Sequence, residues 1–128
     1  MKGDIVGSLV CVAMASDTRV IGLDDQRRVA LRAGTWFKIG AVERRHDVVV
    51  RGVSIPASQA SHIIIMIDDD GRCRARDSGH NFRVRVNDHE VSTPRVLVDG
   101  DILESYLFDT PLGVRFRFES PPQLTQLP

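Results

Sequence analysis

The sequence predicts an all-β domain, a sandwich of two mostly antiparallel, twisted sheets. Short segments alternate apolar and polar residues with a period of two, as strands with one buried face do. Turn-forming residues separate these segments at short intervals, and no window of helical length shows an apolar period of 3.6 residues. Many short strands joined by regular turns are typical of a β-sandwich.

The strands follow one another closely along the chain. Ile63–Ile67 is continuously apolar, which is typical of an interior strand, and Asp68–Gly71 predicts the turn after it. Asn87–Asp88 predicts a two-residue hairpin turn, because both residue types tolerate positive φ. The other predicted strands are Leu9–Met14, Val20–Leu23, Arg28–Arg32, Trp36–Ile39, Val48–Val50, and alternating segments over Arg72–Arg76, Arg83–Val86 and Val114–Phe118.

Length and composition indicate one domain without a strong charge preference. The 128 residues suffice for a self-supporting core, and 42% of them are hydrophobic. Seventeen basic and seventeen acidic residues cancel, and only 5% are aromatic, which disfavours nucleic acid as a partner. Cys11 and Cys73 lack metal-site spacing, so we expect two buried, reduced thiols and neither metal nor cofactor.

The N-terminal segment has two interpretations. Ile5–Ala15 loosely imitates a signal peptide, whereas Asp4 and the Gly7–Ser8 break favour an apolar first strand. No stretch approaches the ~20 apolar residues of a membrane span, so we expect no membrane insertion by this segment. The predicted organisation is an N-terminal extension over 1–7, a domain over 8–119 and a Pro-rich tail or linker over 120–128.

Three spaced motifs carry a family resemblance. Trp36–Gly40 closes a strand, Asn87 follows Asp77 by ten residues, and Leu97–Ile102 reads Leu-Val-Asp-Gly-Asp-Ile. Together they resemble the forkhead-associated (FHA) domain over residues 8 to 119. The resemblance implies a non-catalytic β-sandwich whose loops at one end bind phosphothreonine peptides. Its structural motif would be carried by Gly40, Asp77, Asn87, Asp99, Gly100 and Asp101.

The positions that would grip phosphate match the family less well. Ala41 stands where the family has arginine, and Gln59 replaces a second arginine if Ser58 takes the family's serine position. A one-residue shift would instead bring His62 onto the family's histidine. In the next loop an ungapped match places Phe82 on the peptide-orienting asparagine, and a one-residue shift places Asn81 there instead. The candidate phosphopeptide-binding residues are Arg44, Arg45, Ser58, Gln59, Ser61, His80, Asn81 and Arg83.

Several of these residues have a plainer interpretation. Ser58 contacts phosphate or only its own backbone, and Arg44–Arg45–His46 forms a phosphate clamp or a solvated basic turn. Asp68–Gly71 resembles a calcium loop but has Gly79 where glutamate is needed. A ladder of alternating arginines forms either a cationic docking face or an ordinary sheet face with acidic cross-strand partners. Its members are Arg72, Arg74, Arg76, Arg83, Arg85, Arg115 and Arg117.

The resemblance leads to two alternative functions. The first is a non-catalytic protein-interaction module with an incomplete or rewired phosphothreonine-peptide site, serving as the recruitment or scaffold domain of a larger signalling protein. The alternative is a phosphate-independent assembly domain, such as the cytoplasmic domain of a type III secretion inner-ring protein. We expect an intracellular, reduced compartment, with the nucleus favoured and the bacterial cytoplasm as the alternative. Homo-oligomerisation is left open.

Overall fold

The alternating segments form twelve strands in the computed structural model, which describes residues 2–53 and 55–121. The strands are β1 Ile5–Met14, β2 Thr18–Ile21, β3 Arg28–Arg32, β4 Trp36–Gly40, β5 Val48–Gly52, β6 Ser61–Ile67, β7 Cys73–Arg76, β8 Phe82–Val86, β9 His89–Glu90, β10 Arg95–Val96, β11 Ile102–Leu107 and β12 Thr110–Glu119.

Two six-stranded sheets form the molecule. The first has the order β3-β1-β12-β11-β8-β9 and the second the order β10-β7-β6-β4-β5-β2. Every pairing is antiparallel except that of β4 with β5. The predicted all-β sandwich is therefore confirmed, and β6, which contains the apolar run, is an interior strand. The described residues include no helix long and apolar enough to cross a membrane.

The core lies between the two sheets. Ile63 and Ile65 of the second sheet are fully buried, as are Leu9 and Leu103 of the first. Burial of such side chains contributes roughly 1.5–3 kcal/mol each. The two cysteines also belong to this core and are free and buried, as predicted.

Strand β11 was missing from the predicted set. Its centre carries Glu104 and Ser105, two polar residues that interrupt the apolar alternation. Both are nevertheless buried, and the Glu104 carboxylate lies 3.3 Å from Arg115 Nε on the neighbouring strand β12. This tertiary ion pair allows a buried carboxylate that sequence periodicity cannot anticipate. In the predicted tail, residues 122–128 lie outside the described residues.

The register of the paired strands places four of the segments that connect them at the same end of the sandwich. Gly40 is opposite Ser61, Ile64 is opposite Arg76, and Leu107 is opposite Phe82. The segments 41–47, 53–60 (except residue 54), 77–81 and 108–109 therefore project from the same end. We call these four segments the loop end.

The opposite end is tied together by four of the six motif residues, those of the Asn87 hairpin and the Asp-Gly-Asp loop. Asn87 and Asp88 have φ of 52° and 68°, as the predicted hairpin turn requires. Asn87 Nδ2 donates to Asp101 Oδ1 at 2.8 Å, and its Oδ1 accepts from the Ile102 amide at 2.9 Å. Asp101 Oδ2 accepts from the Val98 amide at 2.9 Å. The hairpin is thus bonded to the Asp-Gly-Asp loop.

Two further motif residues complete this end. Asp99 Oδ1 accepts from the Ser120 amide at 2.9 Å, which joins the loop to the end of β12. Gly100 has φ of 91°, a conformation that L side chains rarely adopt. These contacts give the Asp-Gly-Asp segment a structural role, far from the loop end.

Candidate functional site

His46 holds the first segment of the loop end against the second sheet. Its ring is 8% exposed, its Nδ1 lies 2.9 Å from the Val42 carbonyl oxygen and its Nε2 lies 3.1 Å from Ser61 Oγ. A Cβ on Gly40 would overlap this ring, so only glycine fits there without displacement. His46 therefore belongs neither to a solvated basic turn nor to a phosphate clamp, because its ring is buried and both of its nitrogens have contacts inside the domain.

The serines of the second segment are engaged locally. Ser58 Oγ accepts from the Ala60 amide at 3.1 Å, and the Ser58 amide donates to the Pro56 carbonyl at 2.9 Å. The Ser61 hydroxyl contacts His46 and lies at the start of β6. Gln59 is exposed between them. The geometry matches the plainer interpretation of Ser58 as a loop serine bonded to its own backbone.

The third segment presents an amide at its tip. Asn81 is exposed with φ of 69°, and its backbone carbonyl oxygen accepts a hydrogen bond from the Phe108 amide at 2.9 Å. His80 beside it is also exposed. Asp77 Oδ1 accepts from the Gly79 amide at 3.0 Å and shapes the turn. Asn81, not the following Phe82, therefore occupies the exposed position in this loop.

Phe82 and His62 lie inside the molecule. Both rings are buried and their centroids are 4.5 Å apart. Neither His62 nitrogen has a hydrogen-bond partner among the described residues. Burial, followed by the proximity of His46, lowers the pKa of His62 to about 4. His62 is therefore a neutral core histidine on β6 and lies outside the loop segments.

The candidate cations differ in how they are paired. Arg83 Nε lies 3.4 Å from Glu90 Oε1 across the β8–β9 pair. Arg44 and Arg45 are exposed and form no ion pair with any described residue. The loop end thus carries two unpaired guanidinium groups and two serines whose hydroxyl oxygens have contacts inside the domain.

Solved structures share this architecture. An FHA domain of an Arabidopsis thaliana hypothetical protein is 15% identical with a TM-score of 0.67, and the match covers 98% of this chain and 96% of that one. An FHA domain from Chlamydia trachomatis is 18% identical with a TM-score of 0.61, covering 91% and 99%. The fold is that of an FHA domain.

A third solved structure shares the FHA fold. The cytoplasmic domain of the type III secretion sorting platform protein PscD from P. aeruginosa is 16% identical with a TM-score of 0.63, and the match covers 93% of this chain and 83% of that one. No family model and no curated protein matches the chain.

An apolar cleft lies where the FHA resemblance places an arginine. Ala41 forms part of its wall, and the cleft has a volume of about 350 Å³. This cleft was not predicted from the sequence, although Ile55–Pro56–Ala57 is an unusually apolar run for a loop. The other lining residues are Val50, Arg51, Gly52, Ile55, Pro56 and Ala57.

The arginine ladder on this FHA fold is largely neutralised. Arg74 lies 2.7 Å from Asp68, and the Arg85 guanidinium stacks 4.1 Å above the Tyr106 ring centre. These contacts match the interpretation of an ordinary sheet face. The remaining ion pairs are Arg83–Glu90, Arg115–Glu104 and Arg117–Glu119. The described residues contain no cluster of three or more His, Cys, Asp or Glu able to hold a metal.

Proposed function

We propose that the protein is a non-catalytic protein-interaction module that binds a partner through its loop end without depending on phosphothreonine. The observation that carries this proposal is the apolar wall in which Ala41 stands, and the internal contacts of the loop-end serines are consistent with it. Ser58 Oγ accepts from the Ala60 amide and Ser61 Oγ contacts His46. Ala41 stands in an apolar wall at the position that the FHA resemblance gives to arginine.

Phosphate chemistry supports a phosphate-independent role. A phosphate of about −2 charge is held by guanidinium forks, hydroxyls and amides. Ala41 and Gln59 cannot supply a guanidinium group, and each charge-assisted hydrogen bond contributes roughly 1.5–3 kcal/mol. Two missing bonds would weaken binding about a hundredfold or more. The unpaired Arg44 and Arg45 supply charge, but neither stands at the two positions that the resemblance gives to arginine.

The Ser61–His46 contact supports a structural role over a catalytic one. In a hydrolytic triad the histidine is oriented by a carboxylate, whereas His46 Nδ1 lies against the backbone carbonyl of Val42. The ring is also buried, so the contact braces the loop.

An NMR titration of the labelled domain tests the proposal. One sample receives a degenerate phosphothreonine peptide pool and the other its unphosphorylated twin. We expect equal amide shifts from the two pools, centred on residues 41–47 and 55–60. The Ser58→Ala variant is expected to give the same shifts, since binding that does not depend on phosphate needs no phosphate contact from that hydroxyl.

Either of two results would contradict the proposal. Shifts confined to the phosphorylated pool and centred on Arg44, Arg45 and His80 would identify a rewired phosphothreonine reader. Absence of shifts at the loop end with both pools would mean that this surface binds no peptide.

The likeness to PscD favours a second candidate, a role in assembling a secretion ring. The sequence that follows the predicted Pro-rich tail in a longer protein distinguishes this candidate from a scaffold role. A hydrophobic membrane span after residue 128 supports the ring, and helical or disordered scaffold sequence supports recruitment.

A further inference from the structure

Two arginines face each other beside the apolar cleft. The register of β2 with β5 places Arg19 directly opposite Arg51, and both are exposed. Like charges in directly opposed positions destabilise an antiparallel pair. Arg19 forms no ion pair with a described residue, and Arg51 reaches only Glu43, at 3.5 Å. The domain thus carries a like-charge pair in which Arg51 has one exposed acidic partner and Arg19 has none among the described residues.

The surrounding charge at this edge is positive as well. Arg44 and Arg45 belong to the same segment as Glu43 and are unpaired with described residues. The acidic groups nearby are Glu43 and Asp17, and the Asp17 carboxylate already accepts from the Thr18 hydroxyl at 3.3 Å. Of these arginines Arg51 lines the cleft itself, Arg19 is opposite it on the neighbouring strand, and Arg44 and Arg45 belong to the adjoining loop segment.

The cleft between these charges is apolar and open. Val50 forms its buried floor, while Ala41 and Gly52 are small enough to leave space. Ile55 is half-buried and packs against the core, so the cleft wall is fixed. Val53, which follows Gly52 in the chain, is 92% exposed, which is unusual for a branched apolar side chain. One branched aliphatic side chain of a partner fits this space.

We propose that this cleft takes an aliphatic side chain of an acidic, unphosphorylated peptide segment, whose flanking carboxylates pair with Arg51 and Arg19. Charge complementarity selects this occupant, because carboxylates would relieve the repulsion between the two arginines while the aliphatic group covers the cleft. The inference rests on the proposed function and names the class of partner that the loop end binds.

Fluorescence anisotropy with three labelled peptides tests the inference. The probe is a seven-residue peptide with leucine at its centre and aspartate or glutamate at the four adjacent positions. One control replaces the acidic residues with asparagine or glutamine, and the other replaces leucine with alanine. We expect each control to bind at least about tenfold more weakly than the probe, and the probe to weaken as salt rises.

Variants of the domain locate the binding. Arg51→Glu is expected to lower the affinity for the probe peptide at least about tenfold, because it reverses the charge that meets the carboxylates. Ala41→Leu fills the cleft and is expected to lower the affinity for the probe peptide by a similar factor. The matched control is Arg72→Glu, an exposed arginine at the end of the sandwich opposite the loop end. It is expected to change the affinity less than twofold, and the amide spectrum of each variant verifies its fold.

The inference is overturned if the probe fails to bind, or if Arg51→Glu and Arg72→Glu weaken it equally. These failures are distinguishable from failure of the proposed function. If the unphosphorylated degenerate pool still shifts the loop end, the interaction module stands and only the acidic-aliphatic partner is wrong. If only the phosphorylated pool shifts it, the proposed function itself is wrong.

Discussion

The buried histidine on β6 makes the stability of the domain depend on pH. His62 is 0% exposed, neither ring nitrogen has a partner among the described residues, and its pKa is lowered from 6.5 to about 4. Between these two values the unfolded chain binds the proton and the folded chain does not. Stability therefore rises with pH over this window and falls as the solution becomes more acidic.

The magnitude follows from proton linkage. With an unfolded pKa of 6.5 and a folded pKa of about 4, acidification from about pH 7 to pH 5 removes about 2 kcal/mol from the free energy of unfolding. That is a large fraction of the stability of a small domain, which is about 5–15 kcal/mol. The loss is complete once the pH falls below the folded pKa.

Urea denaturation of the wild type and of His62→Leu at a series of pH values measures this contribution. Leucine removes the titrating group and the two unpartnered nitrogens while keeping an apolar side chain of similar size. We expect the variant to be at least as stable as the wild type near neutral pH, and to lose about 2 kcal/mol less on acidification to pH 5. If the two proteins differ by less than about 0.5 kcal/mol in the stability they lose between pH 7 and pH 5, the assignment of His62 as a neutral core residue is refuted.

Three further outcomes are expected. Gly40→Ala should lower the free energy of unfolding by about 1–3 kcal/mol in thermal melts, since its Cβ overlaps His46, and adding His46→Ala should recover part of this loss. Asn87→Gly retains the turn conformation but loses the hydrogen bonds to Asp101 and to the Ile102 amide, and it should lower the free energy of unfolding measured in urea by about 1–3 kcal/mol. An unchanged urea midpoint would contradict the role of these bonds. Cys73, whose pKa is raised to about 11 by burial and by the charge of Asp68, should resist alkylation near pH 8 until the domain is unfolded, and rapid labelling of the native domain would count against this burial.

Much of the fold was predictable because its signals are local. The predicted segment Arg28–Arg32 coincides with β3, and the Asn87–Asp88 turn has the positive φ values that its residue types suggested. The interior position of Ile63–Ile67 followed from its continuous apolar run. β11 was not predictable in this way, because Glu104 is buried only through its partner Arg115 on another strand.

The candidate site was predictable only as a set of loops. The FHA resemblance placed Ser58, Asn81 and Arg83 in or beside these loops, and the structure positions Asn81 at an exposed tip. In the structure the Ser58 hydroxyl oxygen accepts a hydrogen bond from the backbone of its own loop, and Arg83 forms an ion pair with Glu90. Hydrogen-bond partners depend on distances that the amino-acid order does not specify.

The sequence by itself determined the class of the fold, the hairpin turn and the position of the Asp-Gly-Asp loop, because periodicity and turn chemistry act between neighbours in the chain. Only the tertiary structure decided that His46 is buried against Ser61, that His62 lies in the core and that Ala41 opens onto an apolar cleft. Each of these depends on groups distant in sequence meeting at short range, where burial and pairing decide which side chains remain available to a partner.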